Sequence, residues 1–259
     1  MIQVHVHASV WKFESSLRHQ LFNWSIMFKK QEINDHIFPR LKKETYLHRR
    51  KLRDYVLRFS KNVLPGKKVL DFGCGNKPYS RFFGTKHYFG IDGSLKSKAD
   101  IIGLDDLPIK DNSMDYVMSY QVLEHVPNPH KVIGEFYRVL KPNGVIVISV
   151  PFIGEYHTCP HDYWRFTHEG LLELLKNYSN IKIVPDVSRV QCLVSFFAHF
   201  IRSKTKVGKR KWIGNILIVF LNLFGLCFNS TKYEYKTGLI ANSFIVSAQK
   251  PISPNLNVE

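Results

Sequence analysis

The fold is decided by residues 67–92, which read KKVLDFGCGNKPYSRFFGTKHYFGID. A short apolar run ends on Asp71, Gly73 and Gly75 follow at once, and a second apolar run ends on Asp92. This order predicts a strand, a glycine turn, a helix beginning near Pro78 and a second strand. Because glycine has no Cβ and tolerates positive φ, such a turn lets a ligand approach the backbone. Asp92, 19 positions after Gly73, is placed to accept hydrogen bonds from a ribose diol.

The segment from Lys67 to Phe152, about a third of the chain, resembles class I S-adenosylmethionine (SAM) dependent methyltransferases. Asp71 and the two glycines match the first motif of that family, whereas Lys77 stands where the family has a third glycine. Further along, LPIKDNSMDYV, LEH and LKPNG follow in the family's order and spacing. The resemblance implies a Rossmann-like, doubly wound α/β sheet of seven strands with a final antiparallel hairpin, and SAM as the cofactor.

The resemblance also assigns cofactor contacts. Asp71 is expected beside the amino-acid part of SAM, acting on its ammonium group through water, and Asp92 at the ribose. Asp105 is preferred over Asp106 for the adenine amine, with simple turn chemistry before Leu107 as the alternative. The full expected set comprises Asp71, Gly73, Cys74, Gly75, Asp92, Gly93, Leu104, Asp105, Ser119 and Tyr120.

Four residues are candidate acid–base groups. His125 follows Glu124 after the fourth strand, where imidazole could act as a general base or could instead cap a helix or hold a loop. The acceptor loop, residues 151–167, reads PFIGEYHTCPHDYWRFT and is expected at the carboxyl edge of the sheet, where ligands bind. In it, His157 or His161, oriented by Asp162, could deprotonate an acceptor hydroxyl.

The acceptor loop also suggests what is bound. Its HDYWRFT segment resembles methyltransferases of bacterial cell-surface polysaccharide and lipid-linked sugar pathways. Tyr163 and Trp164 could stack on a sugar face and Arg165 could bind a phosphate or carboxylate, or the aromatic rings could simply pack the loop. A zinc site at His157, Cys159 and His161 is disfavoured by its tight spacing, so we expect no metal.

Composition limits the class of partner. The 259 residues include 37 basic and 21 acidic ones, for a formal net charge of +16, which favours anionic partners. The widely spaced cysteines contain no CxxC pair, which argues against a disulfide framework and fits a reducing compartment. The first residues lack a basic region followed by an apolar core, so we expect no secretory signal.

Four regions are expected: an N-terminal helical extension (1–62), a SAM-binding core (63–189), an apolar and basic insert (190–235) and a final strand with a tail (236–259). The helices are predicted at Trp11–Phe28, Leu41–Phe59, Pro129–Leu140 and Thr167–Tyr178. The strands are predicted at Lys68–Phe72, Tyr88–Asp92, Ala99–Ile102, Met114–Ser119, Val145–Val150, Ile181–Val184 and Asn242–Ala248. The second helix is basic and amphipathic, which suits a solvated surface or contact with an anionic headgroup or phosphorylated substrate.

The insert contains two apolar stretches, Val190–Ile201 and Trp212–Phe228, joined by a basic loop. A single membrane span is rejected, because it would place the seventh strand on the wrong side of the bilayer from its own sheet. Two alternatives stay open, a helical hairpin in the membrane interface or a lid over the acceptor pocket.

The sequence therefore predicts a SAM-dependent methyltransferase acting on a hydroxyl or carboxylate of a glycan, lipid-linked sugar or related small acceptor. It is expected in the cytoplasm or peripherally on the inner face of the membrane. An RNA or other small-molecule methyltransferase is the alternative, although no RNA-binding module or NPPY-like motif is visible. A non-catalytic, membrane-associated SAM-binding protein is the third hypothesis.

Overall fold

The sheet has seven strands in the order β3-β2-β1-β4-β5-β7-β6. The computed structural model describes residues 35–103, 106–157, 161–206, 208–228 and 240–252. The strands are β1 Val69–Phe72, β2 Tyr88–Asp92, β3 Ile101–Ile102, β4 Met114–Tyr120, β5 Leu140–Pro151, β6 Ser179–Pro185 and β7 Ser243–Gln249. Strands β1 to β5 pair in parallel, and β7 pairs antiparallel with both β5 and β6. The predicted Rossmann-like sheet with a final antiparallel hairpin is confirmed.

Helices cover both faces of this sheet. They are α1 Tyr46–Ser60, α2 Pro129–Val139, α3 His168–Leu174, α4 Arg189–Lys204 and α5 Lys209–Leu226. On one face α2 and α3 bury an apolar cluster that includes Phe72 and Phe136, whose ring centroids lie 5.0 Å apart. On the other face α1 packs against the sheet through Leu52 and Val56. The helix predicted at Trp11–Phe28 lies outside the described residues.

The helix predicted to begin near Pro78 is wrong. Only a single 3₁₀ turn, Ser80–Phe82, forms between β1 and β2. Lys77 has a φ of 52°, which an α-helix excludes, and Phe83 is already extended, so the segment has room for one turn. Helix α1 takes over the sheet face that a longer helix would otherwise cover, since Tyr79 and Phe83 join the cluster beneath it.

Strand β5 begins earlier than predicted. The breaker residues Pro142, Asn143 and Gly144 do end α2, but they already belong to β5, whose pairing with β4 is irregular between Met114 and Tyr116. Asn143 adopts a φ of 63° there, which permits the local irregularity without ending the strand.

The α4–α5 hairpin is held against the N-terminal part of the chain. Arg202 at the end of α4 pairs with Glu44 at 2.9 Å. The Asn222 side-chain nitrogen donates to the backbone oxygens of Leu41 at 2.7 Å and Lys43 at 2.9 Å. No helix in the described part of the chain has the length and apolar content needed to cross a bilayer. The described part of the predicted insert therefore packs against residues 41–44, directly before α1.

Candidate cofactor and acceptor site

The glycine turn after β1 requires glycine for two reasons. Gly73 has a φ of 72° and Gly75 a φ of 51°, in the left-handed region that side chains disfavour. A Cβ on Gly73 would also lie 2.3 Å from a methyl carbon of Val122, so the space is closed to a side chain. The Gly73 amide donates to the carbonyl of Ile91 at 2.8 Å, which ties the turn to the end of β2.

Two aspartates are buried beside this turn. Asp71 accepts a hydrogen bond from the Tyr88 hydroxyl at 2.6 Å, and its burial raises its pKa to about 7. Asp92 accepts from the amides of Gly75 and Ser94, each at 2.8 Å, and burial raises its pKa as well. A cationic ligand group near Asp71 would restore the ionised carboxylate, because an opposite charge offsets the cost of desolvation.

A cavity of about 560 Å³ lies over the carboxyl ends of β1, β2 and β4, within the usual range for small-molecule sites. Of the residues predicted for the cofactor, those that line it are Asp71, Gly73, Cys74, Asp92 and Tyr120. Gly75, Gly93 and Ser119 are buried behind this lining, and Leu104 and Asp105 lie outside the described residues.

These groups fit SAM on their own geometry. Gly73 lines the cavity without a side chain to fill it, since a Cβ there would collide with Val122, and the buried carboxyl groups of Asp71 and Asp92 line the same cavity. The buried hydroxyl oxygen of Ser119, at the end of β4, has no hydrogen-bond partner among the described residues. Asp71 would hold the amino-acid part and Asp92 the ribose, as the sequence predicts.

Of the four acid–base candidates, His125 and His157 line the cavity, whereas His161 and Asp162 do not. Glu124 and His125 lie on a 3₁₀ turn, Leu123–His125, that follows β4. Glu124 is fully buried, neither of its oxygens has a hydrogen-bond partner among the described residues, and burial raises its pKa to about 8. Burial lowers the pKa of His125, so its ring is neutral at pH 7.

The tautomer of His125 follows from its partner. Its Nδ1 lies 2.5 Å from the backbone oxygen of His161, and a carbonyl oxygen can only accept. Nδ1 therefore carries the ring proton, and Nε2 is the nitrogen that can take a proton from an acceptor. The ring of His157 stands edge-on to it, with centroids 5.1 Å apart.

The carboxylate of Asp162 does not hydrogen-bond to a histidine ring in the way predicted. Its carboxylate accepts from the backbone amide of His157 at 2.9 Å, while the His157 ring nitrogen is 3.8 Å away. Arg165 donates to the same carboxylate at 2.7 Å and holds its pKa at about 2. Asp162 thus orients the acceptor loop, and the guanidinium predicted to bind the acceptor is already occupied.

The predicted aromatic platform lies away from the cavity lining. The backbone amides of Tyr163 and Trp164 donate to the carbonyl of Glu124 at 2.8 and 3.3 Å, and the Trp164 indole donates to Val126 at 2.9 Å. Together with the contact between His161 and His125, these bonds fix the turn that carries Glu124 and His125. The HDYWRFT segment, residues 161–167, therefore holds the turn that carries Glu124 and His125 in place. That Tyr163 and Trp164 stack on an acceptor stays a prediction.

Side chains of Glu124, His125 and His157 also bring ligand-type atoms within 4.8 Å of one another, a grouping that could hold a metal ion. It differs from the disfavoured set of His157, Cys159 and His161, of which Cys159 lies outside the described residues.

Several cavity residues were not singled out from the sequence, although a phosphorylated substrate at α1 and a lid formed by the insert were among its alternatives. Helix α1 and its approach contribute His36, His48 and Arg49, and α4 contributes Ser195 and His199. The His48 ring pairs with Asp186 at 2.5 Å, but Arg49 has no carboxylate partner among the described residues. The basic, amphipathic pattern of α1 was the available signal, but it does not say which cation faces inward.

A family model described as a methyltransferase domain matches residues 45–176, just over half of the chain. The chain belongs to this family. The match begins at the start of α1, so it includes the helix that supplies Arg49 to the cavity. The family confirms the predicted SAM cofactor and the general class, while the acceptor and the resemblance to glycan pathways stay predictions.

Curated relatives support the same class. A probable S-adenosylmethionine-dependent methyltransferase of Mycolicibacterium smegmatis is 29% identical over 126 residues, 44% of this chain and 48% of that protein. The chain thus spans about half the length of that relative. The mitochondrial ubiquinone biosynthesis O-methyltransferase of Schizosaccharomyces pombe is 25% identical over 74% of this chain and 72% of its own length.

Solved structures confirm the fold. Geranyl diphosphate C-methyltransferase from Streptomyces coelicolor aligns with a TM-score of 0.56 at 11% identity, over 92% of this chain and 98% of that one. Phosphoethanolamine N-methyltransferase 2 from Haemonchus contortus, solved with S-adenosyl-L-methionine, gives a TM-score of 0.53 at 18% identity, over 78% and 52%.

Replacing Gly73 with alanine should weaken SAM binding by about tenfold or more, because a left-handed φ and the contact with Val122 both oppose a Cβ. Calorimetric titration with SAM measures this, with circular dichroism to show that the variant is folded. Gly84→Ala is the matched control, since a Cβ there meets no atom within 4 Å. Equal SAM affinity of the two variants would contradict the role given to the turn.

Glu124 should make stability depend on pH. Its folded pKa of about 8 exceeds the ordinary value of 4.5, so between these pH values the unfolded chain is ionised while the folded chain holds the proton. The proton held by folded Glu124 therefore stabilises the protein fully below pH 4.5, and this contribution is lost as the pH rises to about 8. The melting temperature of Glu124→Gln relative to wild type should therefore increase from about pH 5 to about pH 8.

The exposed Glu173, paired with Lys176 at 2.7 Å, provides the control for this measurement. Glu173→Gln should show no such upward trend across the same pH range. A Glu124→Gln difference that stays constant with pH would mean that the carboxyl group is ionised in the folded protein.

Proposed function

We propose that this protein is a SAM-dependent methyltransferase that methylates a hydroxyl or carboxylate oxygen of an acceptor carrying an anionic group, such as a lipid-linked sugar. One observation carries the proposal: a single cavity is lined by the glycine turn, by His125 and by the guanidinium-bearing residue Arg49. A cofactor cradle, a base and a cation for the acceptor therefore share one space.

Bound SAM supplies an electrophilic methyl group, and the chain's task is to position the acceptor oxygen and take its proton. Displacement at a methyl carbon gains most from orientation of the reacting atoms. For a hydroxyl acceptor the proton goes to Nε2 of His125, whose other nitrogen is fixed by the His161 carbonyl. The imidazolium formed in this way lies 3.7 Å from a carboxyl oxygen of Glu124. Its charge lowers the raised pKa of that carboxyl group and so favours the ionised form that would stabilise the cation.

The charges around the cavity support an anionic acceptor. Glu44 is paired with Arg202 at 2.9 Å, so this acid is already compensated, and Glu155 lies 3.2 Å from a ring nitrogen of His199. Arg165 is committed to Asp162. Arg49 is the cavity guanidinium without a carboxylate partner in the described part of the chain, and guanidinium binds phosphate and carboxylate groups in bidentate fashion.

Oxygen as the methylated atom is also supported by the likeness to the fission-yeast ubiquinone biosynthesis O-methyltransferase, which extends over 74% of this chain. Two other similar proteins are named for an apolar and for a phosphate-bearing substrate, namely sterol 24-C-methyltransferase and phosphoethanolamine N-methyltransferase. An amphiphilic acceptor with a charged head is consistent with this range.

The proposal is tested by incubating the purified protein with tritiated SAM and separated lipid, polysaccharide and RNA fractions of the host cell. We expect label in the lipid or polysaccharide fraction. Arg49→Gln should raise the KM for that acceptor about tenfold, the loss expected for one charged hydrogen bond, with SAM affinity unchanged. Arg50→Gln is the control, because Arg50 lies next in sequence and does not line the cavity.

Label in RNA alone would replace the proposal by the nucleic-acid alternative, and label in no fraction, with SAM still bound, would favour the non-catalytic one. The assay is repeated with EDTA, because Glu124, His125 and His157 are spaced to hold a metal ion. If EDTA abolished methyl transfer and a divalent cation restored it, His125 would be assigned as a metal ligand and no longer as the general base.

His125→Asn should lower kcat about a hundredfold, the lower end of the usual contribution of a general base, while SAM affinity stays within about twofold. Single-turnover measurements with the labelled acceptor separate this chemical step from binding. His130→Asn, at an exposed position in α2, serves as the control. A His125→Asn variant with wild-type kcat would exclude the base and leave orientation as the source of catalysis.

A further inference from the structure

The outer side of the α4–α5 hairpin is an apolar surface, here called the hairpin face. Its large apolar side chains are between 39% and 69% exposed among the described residues. They are Leu193, Phe196, Phe197 and Phe200 on α4, and Trp212, Ile213, Leu217, Phe220, Leu223 and Phe224 on α5. Scattered apolar residues are normal on a protein surface, but so many on two adjacent helices indicate a binding surface.

The opposite side of the hairpin is packed, so the exposure does not reflect a helix pair detached from the fold. Val194 and Cys192 of α4 join a buried cluster with Leu47 of α1. A Cβ on Gly225 of α5 would lie 2.8 Å from Leu47, which shows how closely the helices approach. The hairpin therefore has one side fixed against the domain and a second side without protein cover among the described residues.

Charge identifies the partner of the hairpin face. Residues 189–228 contain seven lysines and arginines and no aspartate or glutamate. Lys204, Lys206, Arg210 and Lys211 are exposed around the connection between the helices. Trp212 stands at this basic end, and tryptophan favours the level of lipid headgroups. An apolar face bordered by cations matches the surface of an anionic bilayer.

Two other occupants fit less well. A second copy of the chain would bring two clusters of like charge together, which opposes association. Residues 1–34 contain apolar side chains but also four basic residues against two acidic ones, so they offer no complementary charge. No helix among the described residues is long and apolar enough to cross a bilayer. The proposed contact is therefore one in which the hairpin face lies in the headgroup region.

The hairpin face lies on the same helix as part of the cavity wall. Ser195, Phe196 and His199 of α4 line the cavity, and Phe196 is also one of the exposed residues of the face. His199 contacts Glu155 of the acceptor loop at 3.2 Å. Attachment through this face would hold the cavity beside the bilayer, within reach of an amphiphilic acceptor.

We propose that the hairpin face binds anionic membranes peripherally, with the apolar side chains of α4 and α5 entering the headgroup region and the flanking cations contacting lipid phosphates. This attachment rests on the exposed surface and not on the proposed methyl transfer, so the two can fail separately.

The test is sedimentation of the full-length protein, without SAM, with vesicles of equal parts phosphatidylglycerol and phosphatidylcholine and with vesicles of phosphatidylcholine alone. Binding to the anionic vesicles should be at least about tenfold stronger and should weaken as salt is raised. The triple variant Phe197→Gln, Trp212→Gln, Phe220→Gln should lose about tenfold or more of that binding, since it removes apolar burial in the interface.

Two further variants complete the design. The matched control, Leu57→Gln, Leu172→Gln, Ile252→Gln, changes exposed apolar residues elsewhere and should bind as wild type. The charge variant Lys204→Gln, Lys206→Gln, Arg210→Gln, Lys211→Gln leaves the apolar face intact and should remove the preference for phosphatidylglycerol, which keeps the test decisive if the first variant does not fold. Equal binding of wild type to both vesicles, wild-type binding by both folded hairpin variants, or displacement of the vesicles by equimolar RNA would overturn the proposal.

Discussion

The site depends on the burial of carboxyl groups at the carboxyl edge of a parallel sheet. Asp71, Asp92 and Glu124 follow or end three neighbouring strands, so the sheet brings Asp71 and Asp92 to the cavity lining and buries Glu124 next to His125, which also lines it. Burial raises the pKa of each, which means that the folded chain holds them at a cost in free energy. That cost is offset where Asp71 and Asp92 receive hydrogen bonds, whereas Glu124 receives none from a described residue. Such an uncompensated group directly behind His125, which lines the cavity, marks the end where chemistry is expected.

The acceptor loop has a supporting role that its residue types conceal. Tryptophan, tyrosine and arginine in one segment favour contact with a sugar phosphate, yet the backbone of Tyr163 and Trp164 holds Glu124, and Arg165 holds Asp162. Groups that fix a catalytic turn must themselves be held, because a misplacement of about 1 Å costs a large part of the rate. The segment therefore holds the turn that carries Glu124 and His125, and its contact with an acceptor stays a prediction.

Local rules predicted most of the fold, and long-range contacts account for the rest. Strand β2 has the predicted bounds because its apolar run and its terminal aspartate are both local signals. The missing helix after Gly75 depends on the positive φ of Lys77 and on α1 taking its place on the sheet, and no short window of sequence contains both facts. Asp71, Gly73 and Asp92 lie at the cavity because a motif fixes them, whereas Arg49 lies there through the packing of α1 against the insert, more than 140 residues away in the chain.

The N-terminal helix and the insert explain how a common cofactor core could acquire its own acceptor. The sheet, the glycine turn and the buried aspartates are the part that serves the cofactor, and they leave one side of the cavity open. Helix α1 and helix α4 close that side with Arg49 and with Ser195 and His199, and Arg202 of α4 pairs with Glu44 just before α1. The insert lies outside the residues 45–176 that match the family model, whereas α1 lies within them. Acceptor choice and membrane attachment would then both depend on the insert, so that a change in it alters both where the protein sits and what reaches its cavity.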